Sequence, residues 1–327
     1  MCYIFLGTLG SPPRRESGVC FVDFRELNYV LAVARYQNIT KAAESLYVGQ
    51  PTVSKFLTGL EEELGLKLFR KIGNKYVLTY AGERYVEKAR QILQTKADLD
   101  AELADILKRD VGVLNVGFAA MRCTYMLPAV LPSFRKLHPN VMLNVFEGSS
   151  DENDRRLLEG QEEIAFYNSP NIPNPQLSYE TLCAEELLIC TCRNHPLGRF
   201  AEPNPTSSHP RLDPALLRDE RILMMEPDQR TRQIMDGILH EKGLQFSKVQ
   251  YISSLPAIME LVSLGYGVSF IVETHLDHRA NPRPIDCFSF GEPTFKTDFV
   301  AAVRKGSYIS RYTRDFIEIV RRTVRAG

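Results

Sequence analysis

The stretch TKAAESLYVGQPTVSKFLTGLEEEL, Thr40–Leu64, decides the fold of the N-terminal part. It reads as a short helix, a tight turn and a longer helix. Thr40 is a residue type suited to an N-cap, and Ala42, Ala43 and Leu46 give the short helix a packing side of small side chains. Tyr47-Val48-Gly49 is long enough only for a turn, and Gly49 supplies a permissive backbone or a modest cap. Pro51 falls in the first turn of the second helix, where its missing N–H costs nothing. Val53, Phe56, Leu57, Leu60 and Leu64 recur at intervals of three and four, so that face packs inward. The other face carries Thr52, Ser54, Lys55 and Thr58 early and Glu61-Glu62-Glu63 late. The acidic end would repel phosphates, so a DNA groove could receive only the N-terminal half, as in a helix-turn-helix.

The flanks extend this reading. Before the stretch, Phe24–Tyr36 places Leu27, Val30, Leu31 and Ala34 on one helical face, and Gln37-Asn38 breaks it. After it, Gly65 stops the long helix. Lys67–Lys71 and Tyr76–Thr79 read as two short strands around the Gly73-Asn74 turn. A helix-turn-helix followed by a two-stranded hairpin is a winged helix. Arg70, Lys71 and Lys75 lie within six residues on that hairpin, with Asn74 at its tip. Such groups suit backbone contacts that position a reading helix without specifying sequence.

Gly82 closes the module, and Glu83–Arg109 follows as one long helix without Gly or Pro. Val86, Ala89, Leu93, Lys96, Leu99, Leu103, Ile106 and Leu107 approximate a narrow a/d seam, interrupted at Lys96. A seam that narrow suits pairing with a second copy better than burial in a core. From Val111 the pattern becomes α/β. Strands are expected at Val111–Phe118, Val141–Phe146, Ile164–Tyr167, Glu186–Cys192, Arg221–Met225, Val249–Ser253, Val268–Val272 and Phe299–Arg304. Helices are expected at Tyr125–His138, through Arg156–Leu158, and at Arg232–Lys242, Pro256–Leu264 and Arg311–Arg325. This alternation predicts parallel sheets with helices on both faces, in two lobes, with a ligand cleft at the carboxyl ends of the strands. We expect one lobe from about 111–182 and 273–327 and the other from about 183–272.

At 327 residues the chain accommodates two or three domains with real cores. Its formal net charge is zero, so it is no polycation, and any DNA binding must come from local patches. Seven cysteines are an odd number, and Cys190-x-Cys192 lacks zinc-site spacing. Incidental thiols in a reducing cytoplasm are expected, with no metal and no cofactor. No apolar run reaches the ~18–20 residues of a membrane span. Residues 1–22, with Ser11-Pro12-Pro13-Arg14-Arg15, are expected to be disordered.

The chain resembles the LysR-type transcriptional regulators from about Asp23 to its C-terminus. The most specific positions are Thr40-x-Ala42-Ala43-x-x-Leu46-x-Val48-x-Gln50-Pro51-x-Val53-Ser54, Leu60-Glu61-x-x-Leu64-Gly65-x-x-Leu68-Phe69 and Leu78-Thr79-x-Ala81-Gly82. Leu127-Pro128, Phe134, Pro139, Glu147-Gly148, Leu158, Gly160, His195-Pro196-Leu197 and Gly265-x-Gly267-Val268 extend the likeness. The resemblance implies a winged helix-turn-helix at 23–82, a dimerising linker helix at 83–109, and a two-lobed α/β effector domain at 111–327 like that of periplasmic binding proteins. It further implies a cytoplasmic regulator that binds interrupted dyad promoter sites on double-stranded DNA as a homodimer or homotetramer. A small-molecule co-inducer and RNA polymerase would be its other partners, with no membrane. Two positions depart from the family: Gly49 stands where Ser or Thr is usual, and Val272 where Pro is frequent. Family members commonly begin Met-Asp-x-Arg-x-Leu, here Val22-Asp23-Phe24-Arg25-Glu26-Leu27, so translation is expected to start at residue 22.

By the same resemblance, Gln50, Pro51, Ser54 and Lys55 match the DNA-reading positions. Gln can pair bidentately with adenine and Lys can reach guanine O6/N7, each giving ~1–3 kcal/mol of discrimination. Thr40, Thr52, Thr58, Arg70, Lys71, Asn74 and Lys75 complete the expected DNA surface. Effector contacts are implied at Met121 and Arg122 after the first strand, at Ser149 and Ser150, at Asn168 and Ser169, and at Gln229, Arg230 and Thr231. Helix N-termini with Ser donors suit an anion, and Arg122 and Arg230 would add charge. Met121 stands where many members have Ser or Thr, which points to a less polar or different ligand. The alternative is a ligand-binding or enzymatic two-lobed protein whose N-terminal module serves assembly. His138, His195 and His209 sit in or beside Pro-containing turns, and spacing assembles no catalytic triad, carboxylate pair or phosphate loop from the chain.

Overall fold

The computed structural model describes residues 23–107, 111–276 and 283–326. The expectations for residues 1–22 and for a start at residue 22 therefore lie outside the described residues. The chain divides into two compact units, Met1–Gln94 and Thr95–Gly327.

The first unit begins with α1 (Phe24–Tyr36), α2 (Ile39–Ser45) and α3 (Gln50–Leu64). Strands β1 (Phe69–Ile72) and β2 (Lys75–Leu78) form an antiparallel hairpin with Phe69 opposite Leu78 and Ile72 opposite Lys75. Gly73, at φ +57°, turns it. The core of the unit joins Val30, Val33, Ala42, Ala43, Val53, Leu57, Leu60, Leu68 and Val86, which confirms the inward face read from the helical periodicity. Two details differ from expectation. The cap of α2 is Asn38, whose side chain accepts the Lys41 N–H, and Thr40 lies exposed inside the helix. The amide side chain of Asn38 satisfies the open N–H first, two residues earlier than expected. The second difference is Glu61, which is buried. Its Oε1 accepts the backbone N–H groups of Leu68 and Phe69 at 2.8 and 3.0 Å, and its Oε2 meets Lys67 Nζ at 2.8 Å. Only Glu62 and Glu63 form the exposed acidic end. Glu61 fixes the entry to the hairpin, which explains why β1 starts at Phe69 and not at Lys67.

Helix α4 (Tyr80–Ile106) starts earlier than the expected linker, because Thr79 Oγ1 accepts the Gly82 N–H. Val86 and Ala89 are buried, whereas Leu99, Leu103, Ile106 and Leu107 are exposed. Lys96, which breaks the seam, pairs with Asp100 one turn on.

The second unit continues with β3 (Gly112–Ala119), α5 (Ala120–Leu137), β4 (Val141–Gly148), α6 (Ser150–Leu158), β5 (Ile164–Asn168) and β6 (Leu177–Cys192). It is completed by β7 (Ile222–Met224), α7 (Arg230–Glu241), β8 (Val249–Tyr251), α8 (Leu255–Ser263), β9 (Val268–Val272), β10 (Ile285–Ser289), β11 (Lys296–Arg304) and α9 (Arg311–Ala326). The strands form one path in the order β4-β3-β5-β11-β6-β9-β7-β8, with β10 also paired to β6. The path is mixed where parallel sheets were expected. β3 is parallel to β4 and β5, and β7 is parallel to β8 and β9, but β6 and β11 run antiparallel to each other and to their other neighbours. A chain that passes from one lobe to the other and returns must lay down such a pair.

β6 is the crossing strand. Leu177–Glu186 pairs with β11, and Leu187–Cys192 pairs with β9 or β10. Its first half alternates buried with exposed positions, so the continuous apolar run from Leu187 was the only part with a strong strand signal. Two cores flank the crossing. One gathers Leu114, Val116, Phe118, Phe134, Phe166, Phe299 and Phe316, and the other Leu187, Ile189, Ile222, Ile234, Val268, Phe288 and Phe290. Phe288 and Phe290 correct the expected lobe boundary. The chain stays with the second core through β10 and returns to the first only along β11, because Ile285–Ser289 pairs antiparallel with the outer half of β6, Leu188–Cys192.

Candidate nucleic-acid interface and effector cleft

In the first unit, α3 has an inner and an outer side. Gly49 occupies the N-cap position with φ −69° and ψ 141°, and makes no side-chain cap. Pro51 sits in the first turn, as the sequence predicts. Gln50, Pro51, Thr52, Lys55 and Thr58 are exposed, and Ser54 is half-buried. The Thr58 hydroxyl donates back to the Ser54 carbonyl at 3.1 Å. On the hairpin, Arg70, Lys71, Asn74 and Lys75 are all exposed. Among the described residues, Lys55, Arg70, Lys71 and Lys75 take part in no ion pair, so their charge is available to a polyanion. Sequence reasoning overlooked Tyr47 in the turn before α3. It is 97% exposed and holds a left-handed backbone, φ +54°, which is uncommon for a bulky residue.

In the second unit the expected effector residues fall into two clusters. The first is centred on Arg122. The strand β3 passes directly into α5, so Met121 and Arg122 lie in the first helical turn and not in a loop. Arg122 is 1% exposed. Its Nη1 donates to Glu185 Oε1 at 3.0 Å and to Tyr125 Oη at 3.1 Å. Its Nη2 donates to Asn168 Oδ1 at 3.0 Å and to the other Glu185 oxygen. Asn168 Nδ2 and Thr274 Oγ1 also donate to Glu185, at 2.8 and 2.7 Å. The guanidinium lies 3.9 Å from the ring centre of Phe299. Burial opposes the Arg122 charge, but the Glu185 carboxylate with Tyr125 outweighs it and raises the pKa. Met121 packs against the core of the other lobe.

The second cluster joins α6 to α7. Ser149 caps α6, its Oγ accepting the Glu152 N–H at 3.2 Å, and Ser150 is buried. Gln229 occupies the N-cap position of α7 without a side-chain cap. Arg230 Nη2 meets Asp151 Oδ1 at 3.1 Å and Asp154 Oδ2 at 3.2 Å. Gln233 Nε2 donates to Asp151 Oδ2 at 3.0 Å, and Tyr167 donates its hydroxyl to Asp154. Burial raises the Asp154 pKa, against the pull of Tyr167 and Arg230. Thr231 borders an apolar cavity of about 20 Å³ with Met224, Met225, Met235 and Phe270, room for about one water. Ser169 is half-buried, its N–H donating to the Asp298 carbonyl at 2.8 Å.

Both cations expected to meet an anionic effector are thus engaged by carboxylates of the same unit. Glu185, Asp151 and Asp154 were not foreseen. Glu185 could have been found, because a charged residue inside the run Leu182–Cys192 must be paired if buried.

Residues 24–83 match the family model described as bacterial regulatory helix-turn-helix protein, lysR family, and residues 108–325 match that of the LysR substrate binding domain. The chain belongs to the LysR family. It is a DNA-binding transcriptional regulator with an effector-binding domain, and not an enzyme. It is 27% identical to the HTH-type transcriptional regulator YwqM of Bacillus subtilis, covering 92% of this chain and 99% of that one. It is 26% identical to the Hca operon transcriptional activator HcaR of Escherichia coli, covering 91% and 97%. In fold it is similar to a full-length OxyR from Pseudomonas aeruginosa, with a TM-score of 0.71 at 24% identity over 94% of this chain and 96% of that one. Full-length CbnR in complex with its target DNA gives a TM-score of 0.57 at 24% identity, covering 92% and 100%. No described helix of this LysR-family regulator is long and apolar enough to cross a membrane.

Proposed function

We propose that this regulator reads an interrupted, dyad-symmetric promoter site as a dimer or tetramer, and that a small co-inducer in the effector cleft changes its activity. One observation carries the reading: the buried face of α3 fixes the helix while Gln50, Pro51, Thr52 and Lys55 stand exposed at its N-terminal end. In the proposed docking that end enters the major groove, Gln50 and Lys55 meet base edges, and Ser54 lies beside them. Thr40, Thr52, Thr58, Arg70, Lys71, Asn74 and Lys75 hold phosphates, which orients the reader. The exposed Leu99, Leu103 and Ile106 on α4, with Leu107 just after it, support pairing with a second copy, and two copies place two reading helices on the two half-sites. RNA polymerase is the partner through which such a site acts on transcription.

The co-inducer is proposed to approach Met121, Ser149, Ser150, Ser169, Gln229 and Thr231, with Arg122, Asn168 and Arg230 behind them. Since Arg122 and Arg230 already face carboxylates, a simple monoanion finds no uncompensated guanidinium there. The reading therefore favours a neutral or mixed-charge ligand. The test is a gel-shift titration of the DNA upstream of the regulator's own gene, with wild type and Lys55→Ala. Loss of ~1–3 kcal/mol in specific binding, with the fold retained by circular dichroism, is expected. Unchanged operator affinity would refute the role of Lys55, and failure of the wild type to shift that DNA at any salt would refute the operator.

A further inference from the structure

Cys190 lies opposite Cys287 in the antiparallel register of β6 and β10, and their sulfurs are 3.5 Å apart. The sequence draws attention to Cys190 and Cys192, which share a face of β6, but Cys192 stands opposite Ile285 in the register and lies against Gly265. The partner of Cys190 comes from 97 residues away. We propose that Cys190 and Cys287 form a reversible dithiol–disulfide pair in the effector-binding domain, oxidised by exchange with a small-molecule disulfide.

The geometry suits the bond. Directly opposed residues of an antiparallel pair have Cα atoms about 4.5–5.5 Å apart, inside the ~4.4–6.8 Å range that a disulfide spans. The sulfurs must close from 3.5 Å to about 2.05 Å, a movement that side-chain rotation supplies without displacing either strand. The two thiols differ in access. Cys190 is fully buried beneath α8, among Leu188, Leu223, Ile258 and Ile271. Cys287 is half-buried on β10 and borders an open surface recess of about 650 Å³ that also contains His195, Arg199 and His209. An incoming disulfide therefore meets Cys287 first, and Cys190 waits behind it.

The step balances as two exchanges. The Cys287 thiolate attacks one sulfur of the small disulfide, forming a mixed disulfide and expelling one thiolate. The Cys190 thiolate then attacks the Cys287 sulfur, forming the internal bond and expelling the second. Two protons leave the protein thiols and are taken up by the two released small thiols; the protein loses two electrons and the small disulfide gains them. The new bond would close a loop that holds β7, α7, β8, α8 and β9, so it would encircle the second core. A cross-link over so long a loop restricts the unfolded chain strongly.

The test uses the purified full-length protein equilibrated in glutathione buffers from reduced to oxidised. Acid quenching, alkylation in denaturant and peptide mapping then count the thiols. The expected result is a fall from seven alkylated cysteines to five, with one cross-linked peptide pair containing Cys190 and Cys287. Cys192→Ser should form the same cross-link. Cys190→Ser should stop at a glutathione adduct on Cys287, and Cys287→Ser should leave Cys190 reduced. The mapping on wild type stands even where a serine variant does not fold. Seven alkylated cysteines in oxidised buffer, or a cross-link between any other pair, would overturn the proposal.

Discussion

Glu185 brings both carboxylate oxygens onto the guanidinium of Arg122, and neither side chain reaches solvent. The pair lies where β6 crosses between the lobes, and Asn168, Tyr125 and Thr274 make further hydrogen bonds to it. Such a pair is costly to break from one side, because the survivor is left charged and buried. Glu185→Ala is expected to lose about 3–5 kcal/mol in the urea unfolding of the effector-binding domain. Glu185→Gln, which keeps one acceptor and removes the charge, should still be clearly less stable than wild type. A Glu185→Ala protein that unfolds at the wild-type urea midpoint would show that Arg122 finds another partner.

Arg230 ties α7 to α6 through Asp151 and Asp154, and Gln233 adds a second contact to Asp151. These contacts hold the N-terminus of α7 against α6 of the first lobe. Removing a charge-assisted hydrogen bond of this kind costs about 1.5–3 kcal/mol. Arg230→Ala should therefore raise amide exchange tenfold or more in residues 150–158 and 230–234, read by hydrogen–deuterium exchange mass spectrometry. Exchange confined to the 230–234 segment, with 150–158 unchanged, would mean that α6 is held by its own core alone.

Much of the winged helix was legible in the sequence, since its elements are local. Gly65 at φ +63° stops α3, Gly73 at φ +57° turns the wing, and the three-and-four spacing from Val53 to Leu60 sets the buried face. What escaped was long-range. Glu61 reads as part of an acidic run, and only the distant N–H groups of Leu68 and Phe69 draw it inward. In the effector cleft, the helix start at Ser149-Ser150 came from the family resemblance, and α7 begins at Arg230, two residues before the expected Arg232. The partners of Arg122 and Arg230 were not legible, because Glu185 lies 63 residues from Arg122 and Asp154 lies 76 from Arg230. The antiparallel return of β11 carries no local signal either, since it depends on which lobe the chain has just left.

Gly82 and Gly59 make a contrasting pair. A Cβ at Gly82 would sit 2.0 Å from the Leu68 carbonyl oxygen, a backbone atom held in place by Thr79. A Cβ at Gly59, exposed within α3, would meet nothing within 4 Å. Gly82→Ala is expected to destabilise the DNA-binding domain by about 1–3 kcal/mol or more through forced displacement. Gly59→Ala should stabilise it by about 0.5–1 kcal/mol, because alanine loses less backbone freedom in a helix. Thermal melts of both variants check the signs, and a Gly82→Ala protein that melts with the wild type would mean that α4 can slide away from Leu68 freely.

Glu162 gives the effector-binding domain a pH dependence. It is buried, and neither oxygen has a hydrogen-bond partner among the described residues. Arg156 Nε approaches one of them only to 3.8 Å. Burial pushes the Glu162 carboxyl up to about 8, with Arg156 opposing and Glu152 and Glu163 reinforcing the rise. The folded state thus holds a proton that the unfolded chain releases near the ordinary glutamate value of about 4.3. Between those values the native state binds more protons, so stability falls as pH rises and levels off above about 8. Urea midpoints of the wild type should drop between pH 5.5 and 8.5. Glu162→Gln cannot ionise, so it should lose less over that window and exceed the wild type at pH 8.5. Parallel pH profiles for the two proteins would place the charge of Glu162 in contact with a compensating group and remove this carboxyl as the cause.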